Sequence, residues 1–158
     1  MPAGPLLTTV QRLIASDLPR PDLLARTVAA VGEAFDFIDV GVLLVDPHDA
    51  EQLILRASNY AGFPDAVDQY RQPRAGGVIG RALRQGRQLL VADVQQDPDY
   101  QPLPGVAIAA ELVTPLWVGG ALVGVLNVES EHPITPETAA AVGAVAALLS
   151  AALEARTA

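Results

Sequence analysis

The sequence contains no cysteine. That single absence excludes disulfides, thiolate nucleophiles, cysteine-ligated zinc, iron–sulfur clusters and thioether-linked chromophores. Lysine is missing too: all ten bases are arginine, set against 18 acids for a formal net charge of -8. Nucleic-acid binding draws its affinity from a basic stripe, and arginines such as Arg12, Arg26, Arg56, Arg81 and Arg156 are scattered among acids, so a polyanionic partner is disfavoured. Arg81, Arg84 and Arg87 recur at helical spacing, which reads as a solvated face. Aromatic residues are few, three Phe, three Tyr and one Trp. The 51% hydrophobic content is therefore mainly Ala, Val and Leu, predicting an aliphatic core and few platforms for stacking bases.

Long apolar runs are also lacking. Residues 1–9 carry neither the basic start nor the apolar stretch of a signal peptide, and the Ala-rich tract from Ala139 to Leu153 has no flanking basic or aromatic anchors. A packed helix of a cytoplasmic protein is expected there, with no membrane contact. The length of 158 residues suits one core.

Periodicity supplies the elements. Leu6, Leu7, Val10, Leu13 and Ile14 share one helical face, and Leu24, Val28, Val31 and Phe35 form a second stripe after Pro21. Val40 to Val45 and Gln52 to Ser58 read as strands joined at Asp46-Pro47-His48-Asp49. Residues 59–75 read as a loop, with at most a short helix from Pro64 to Tyr70. Gly77 to Gln85 reads as a helix closed by Gly86, and Gln88 to Asp93 as a strand. Residues 94–107 form a second long loop. Glu111 to Val118 and Ala121 to Glu129 make a hairpin through Gly119-Gly120, and Thr135 caps a final helix reaching about Ala155. Hairpins imply an antiparallel sheet, with the first and last helices on one face and the two long loops arching over the other. A ligand cavity belongs under those loops.

Several constellations read more simply as turns. Asp46, His48 and Asp49, or Asp93, Asp97 and Asp99, suit loop chemistry better than a metal. His48 and His132 sit in turns. Ala75-Gly-Gly-Val-Ile-Gly80 lacks a pairing strand before it and the Lys-Ser/Thr of a phosphate loop after it, because Gln72-Pro73-Arg74 is not expected to pair. Ser58, Ser130 and Ser150 have no catalytic context.

Gly77-Val-Ile-Gly-Arg-Ala-Leu, then Gln88-Leu-Leu-Val-Ala-Asp-Val-Gln-Gln-Asp-Pro-Asp-Tyr100, then Glu111-Leu-Val-Thr-Pro-Leu, then Leu122-Val-Gly-Val-Leu-Asn-Val-Glu-Ser130 together resemble the GAF domain pattern in order and spacing. The likeness covers about residues 20–156, leaving residues 1–19 as an added N-terminal helix. It implies an α+β fold: an antiparallel sheet of five or six strands, helices packed on one face, and a loop-covered pocket on the other. One enzymatic branch, the free methionine-(R)-sulfoxide reductases, is similar at Glu111, Asn127 and Glu129, where it uses carboxylates to hold substrate. Its reaction runs through thiols, which are absent here. The cyclic-nucleotide branch needs a lysine in its signature, bilin attachment needs a cysteine, and haem needs an axial ligand.

No cofactor, metal or catalytic residue is therefore expected. Asn127 and Glu129, on the strand face shared with Val123 and Val125, are the candidate pocket floor, with Glu111 and Thr114 on the facing strand. Gly77, Val78 and Ile79 supply the amide-rich start of a helix, and Tyr70, Asp93 and Tyr100 are candidate rim residues. The resemblance implies a sensory module that binds a small-molecule effector, forms a homodimer through its terminal helices and passes the signal to a partner protein. A ligand-free scaffold for dimerisation or docking is the alternative, and an enzyme comes last.

Overall fold

The computed structural model describes residues 3–157. Two helices open the chain, α1 (Ala3–Ala15) and α2 (Arg20–Phe35), followed by the strands β1 (Asp39–Asp46), β2 (Asp49–Ser58) and β3 (Arg71–Pro73). Helix α3 (Gly77–Gln85) leads to β4 (Leu89–Val91), a single 3-10 turn at Val94–Gln96, the hairpin β5 (Ala110–Val118) and β6 (Ala121–Ser130), and helix α4 (Pro136–Thr157). The strands form one sheet in the order β3-β2-β1-β6-β5-β4, every neighbouring pair antiparallel.

Local chemistry sets the boundaries. Pro21 lies in the first turn of α2, where a missing N–H costs nothing. The helix stops at Asp36, whose left-handed backbone (φ 55) returns its N–H to the Gly32 carbonyl. Gly119 and Gly120, both at positive φ, close the β5–β6 turn. Thr135 caps α4, its Oγ1 accepting from the Thr138 N–H at 3.1 Å. Gly124 lets β6 approach β1, since a Cβ there would overlap the Leu43 carbonyl oxygen.

Each face of the sheet has its own apolar cluster. The larger joins Leu6 and Val10 of α1, Leu24, Val28 and Val31 of α2, and Val142, Val145 and Leu149 of α4 to Val40, Val42, Leu112, Leu116, Leu126 and Val128 of the strands. The smaller, on the opposite face, packs Val78, Ile79, Ala82 and Leu83 of α3 against Leu43, Leu53, Val113 and Val125. Over Pro136–Arg156, α4 is long and apolar enough to cross a membrane by length and composition alone, contrary to the expectation that no segment would be. Its inward residues are nonetheless buried in the larger cluster, as a core helix requires.

Three local readings need correction. Arg71–Pro73 does pair, Gln72 opposite Leu53 and Pro73 opposite Gln52, because an edge strand tolerates a proline that has no N–H to donate. Val123 leaves the face of Val125 and packs toward the helices, because the register slips between Leu116 and Trp117 and reverses the alternation. Arg81 is not simply solvated. It bridges Asp97 and, at 2.7 Å, Asp99, tying α3 to the loop 94–107.

Candidate functional site

Alternation along a strand sends successive side chains to opposite faces, so residues paired across strands share a face. The register pairs Glu129 of β6 with Asp39 of β1 on one side and with Glu111 of β5 on the other. Three carboxylates thus stand in a row across three neighbouring strands. One step along, Asn127 lies between Gly41 and Val113.

Over this row lies a cavity of about 590 Å³. Its floor is Asp39, Gly41, Glu111, Asn127 and Glu129, and its walls include Leu43, Leu55, Ile79 and Leu103. The loop 59–75 contributes Tyr60, Phe63, Asp65 and Tyr70 to the roof, and the loop 94–107 contributes Gln101 to Pro104. Tyr60 and Phe63 meet edge to face with ring centroids 5.5 Å apart. Among the described residues lining the cavity there are four carboxylates and no arginine, lysine or histidine.

Glu111, Asn127 and Glu129 are only 4%, 6% and 7% exposed. Burial of a group that water would otherwise solvate favours its neutral form. It raises the Glu129 carboxyl to about 8, with Glu111 and Asp39 adding like charge. Burial likewise raises Glu111 to about 7, against the pull of a hydrogen bond from Asn127, and Asp39 to about 6. Oδ1 of Asn127 and Oε2 of Glu129 are buried without a hydrogen-bond partner. Unpartnered buried acceptors are costly, and a pair on one cavity floor is poised to receive donors.

The opposite wall begins at α3. Gly76 caps that helix without a side-chain hydrogen bond, and Gly77 stands at φ +67, a conformation that side chains other than glycine's adopt only with strain. Gly77, Val78 and Ile79 border the cavity with the first-turn backbone of the helix.

Seven of the ten residues predicted from sequence therefore surround one void: Glu111, Asn127, Glu129, Tyr70, Gly77, Val78 and Ile79. Three do not. Thr114 falls on the helix face, since it follows the inward Val113 by one residue, and its Oγ1 accepts from Gln88 Nε2 at 2.9 Å. Asp93 is exposed and caps the 3-10 turn by accepting from the Gln95 N–H. Tyr100 packs against the α3 cluster, where burial and the nearby Glu129 charge push its phenol up to about 12. Sequence reasoning missed Asp39, the aromatic pair Tyr60 and Phe63, and Gln72, whose Oε1 accepts from the Tyr70 hydroxyl at 3.2 Å.

Comparison with known proteins agrees with this architecture. A family model described as GAF domain matches residues 17–154. GAF domain-containing protein A of Dictyostelium discoideum is 32% identical over 126 residues, covering 80% of this chain and 75% of that protein. The free methionine-R-sulfoxide reductase of Neisseria meningitidis, solved in complex with its substrate, superposes with a TM-score of 0.83 at 32% identity over 96% of this chain and 88% of the other. The GAF domain of a phosphoenolpyruvate-protein phosphotransferase from Coxiella burnetii gives 0.86 at 20% identity, over 98% of this chain and 95% of the other. With its antiparallel six-stranded sheet, its helices and its matching sequence, this chain belongs to the GAF domain family.

Proposed function

We propose that the chain is a sensory module that holds a small organic cation in the cavity and performs no covalent chemistry on it. The acidic floor carries this reading: three carboxylates in register, two buried oxygens awaiting donors, and no base among the lining residues. An ammonium group supplies both the missing donors and the missing charge. The similar reductase acts on free methionine-R-sulfoxide, but reduction through thiols requires cysteine, and this sequence has none.

The construction of β5 supports output through the terminal helices. Glu111 and Val113 face the cavity side while Leu112 and Leu116 lie on the other, where β5 packs with α4. A shift at the floor therefore reaches the helices through one thickness of sheet. In this reading the helices meet a second copy or a signalling partner in the cytoplasm.

Thermal unfolding of the purified chain against a panel of amines, amino acids, nucleotides and organic acids tests the first part. A compound at a hundred times its dissociation constant stabilises by about 2.7 kcal/mol. Incubating the chain with free methionine-R-sulfoxide and a dithiol reductant tests the second, and measurable methionine formation would overturn it. A panel without any stabilising compound favours the ligand-free scaffold.

A further inference from the structure

The charge balance of the cavity indicates what kind of cation it takes, given the cation-binding reading above. The described lining residues include Asp39, Asp65, Glu111 and Glu129 and no base. Arginines nearby are already engaged: Arg81 with Asp97 and Asp99, Arg71 with Asp46, Arg56 with Asp68. Among the described residues no base forms an ion pair with the row. A zwitterion brings no net charge to it, and a single ammonium offsets one carboxylate of the three on the floor.

Spacing supplies the second constraint. Partners across antiparallel strands stand about 5 Å apart, so Asp39, Glu129 and Glu111 span about 10 Å. A four-carbon chain holds its two terminal nitrogens about 6 Å apart, close to the distance between neighbouring members of the row. Leu43, Leu55, Ile79 and Leu103 provide apolar wall for the methylenes between them.

The roof supplies the third. In a chain with seven aromatic residues, Tyr60, Phe63 and Tyr70 all border this cavity. Phe63 and Tyr70 stay 48% and 46% exposed at its mouth. Aromatic faces attract cations, so a charged end projecting toward the opening is also accommodated.

We infer that the cavity takes an aliphatic diamine or polyamine. One ammonium donates to Glu129 Oε2 and Asn127 Oδ1, and a second lies along the row beside Asp39 or Glu111.

A matched series isolates the second charge: 1,4-diaminobutane, n-butylamine and 4-aminobutanoate, titrated calorimetrically into the full chain at about pH 8, where aliphatic amines stay protonated. The diamine should bind about tenfold tighter than butylamine, and 4-aminobutanoate most weakly. Glu129→Gln and Asp39→Asn keep the side-chain shapes and should each shrink the diamine advantage to about twofold or less. Glu137→Gln, at the exposed start of α4, should leave it unchanged. Binding of 4-aminobutanoate or an α-amino acid as tightly as the diamine would overturn the inference and leave the cation-binding sensor standing. So would a diamine advantage that survives in both variants. If neither amine binds, the inference and the cation reading fall together.

Discussion

On the helix side of β5 and β6, Leu112, Leu116, Leu126 and Val128 are fully buried among aliphatic neighbours from α1, α2 and α4. On the other side of the same strands, Glu111, Asn127 and Glu129 are almost as inaccessible, yet two of their oxygens have no partner. Equal burial thus means opposite things on the two faces. One converts buried apolar area into stability, while the other keeps polar groups from water at a cost that a ligand can offset. Strand alternation is what allows a single hairpin to do both.

Removing bulk from each side should separate the two faces most clearly. Leu126→Ala, on the helix face, should lose about 3 kcal/mol of stability. Leu103→Ala, on the cavity wall, should lose less than about 1 kcal/mol, because it enlarges a space already open to solvent. Urea midpoints at unchanged slope would measure both, and equal losses would erase the distinction.

A smaller effect concerns charge. Asp39, Glu111 and Glu129 hold their protons more tightly when folded than when unfolded, with values raised to about 6, 7 and 8. The folded state then binds more protons than the unfolded one between about pH 4 and 8, so stability falls as pH rises through that window. Asp46 and Asp97 are shifted downward, chiefly by a backbone hydrogen bond from His48 and by the Arg81 side chain respectively. Their contribution is complete above the ordinary carboxylate range and is lost only in acid. The melting temperature should therefore peak near pH 5 and decline toward pH 8.5. Glu129→Gln should recover about 2 kcal/mol at pH 8 and almost nothing at pH 5. A gain of the same size at both values would mean that the buried charge is not the cause.

The least effect is expected at the clamp. Arg81→Ala frees the loop 94–107 from α3 and should cost under about 1 kcal/mol, since the pair is partly solvated. Proteolysis within that loop should nonetheless accelerate several-fold while the helix face stays resistant. Unchanged cleavage would show that the prolines alone hold the loop.

Much of this architecture was legible because its signals are local. Gly119-Gly120 marks a turn by itself, and Gly86 and Thr135 mark helix ends by their own conformations and hydrogen bonds. Glu111, Asn127 and Glu129 were found through the GAF-like blocks that carry them, Glu111-Leu-Val-Thr-Pro-Leu and Leu122 to Ser130. Asp39 was missed because its importance comes from pairing with Glu129, 90 positions away, and no local pattern reports that register. Had β1 been extended back by one residue, alternation through Asp39, Gly41 and Leu43 would have exposed it. Thr114 was misplaced by ignoring the same alternation. Pro73 hid β3, since a proline argues against a strand except at an edge.

The sheet's two outer strands, Arg71–Pro73 and Leu89–Val91, are each only three residues long, and one of them ends in proline. Such short borders present almost no free backbone ladder on which a foreign strand could zip. The domain is thereby guarded against growth into extended fibrils, and association through its flanks must use side chains in place of main-chain pairing.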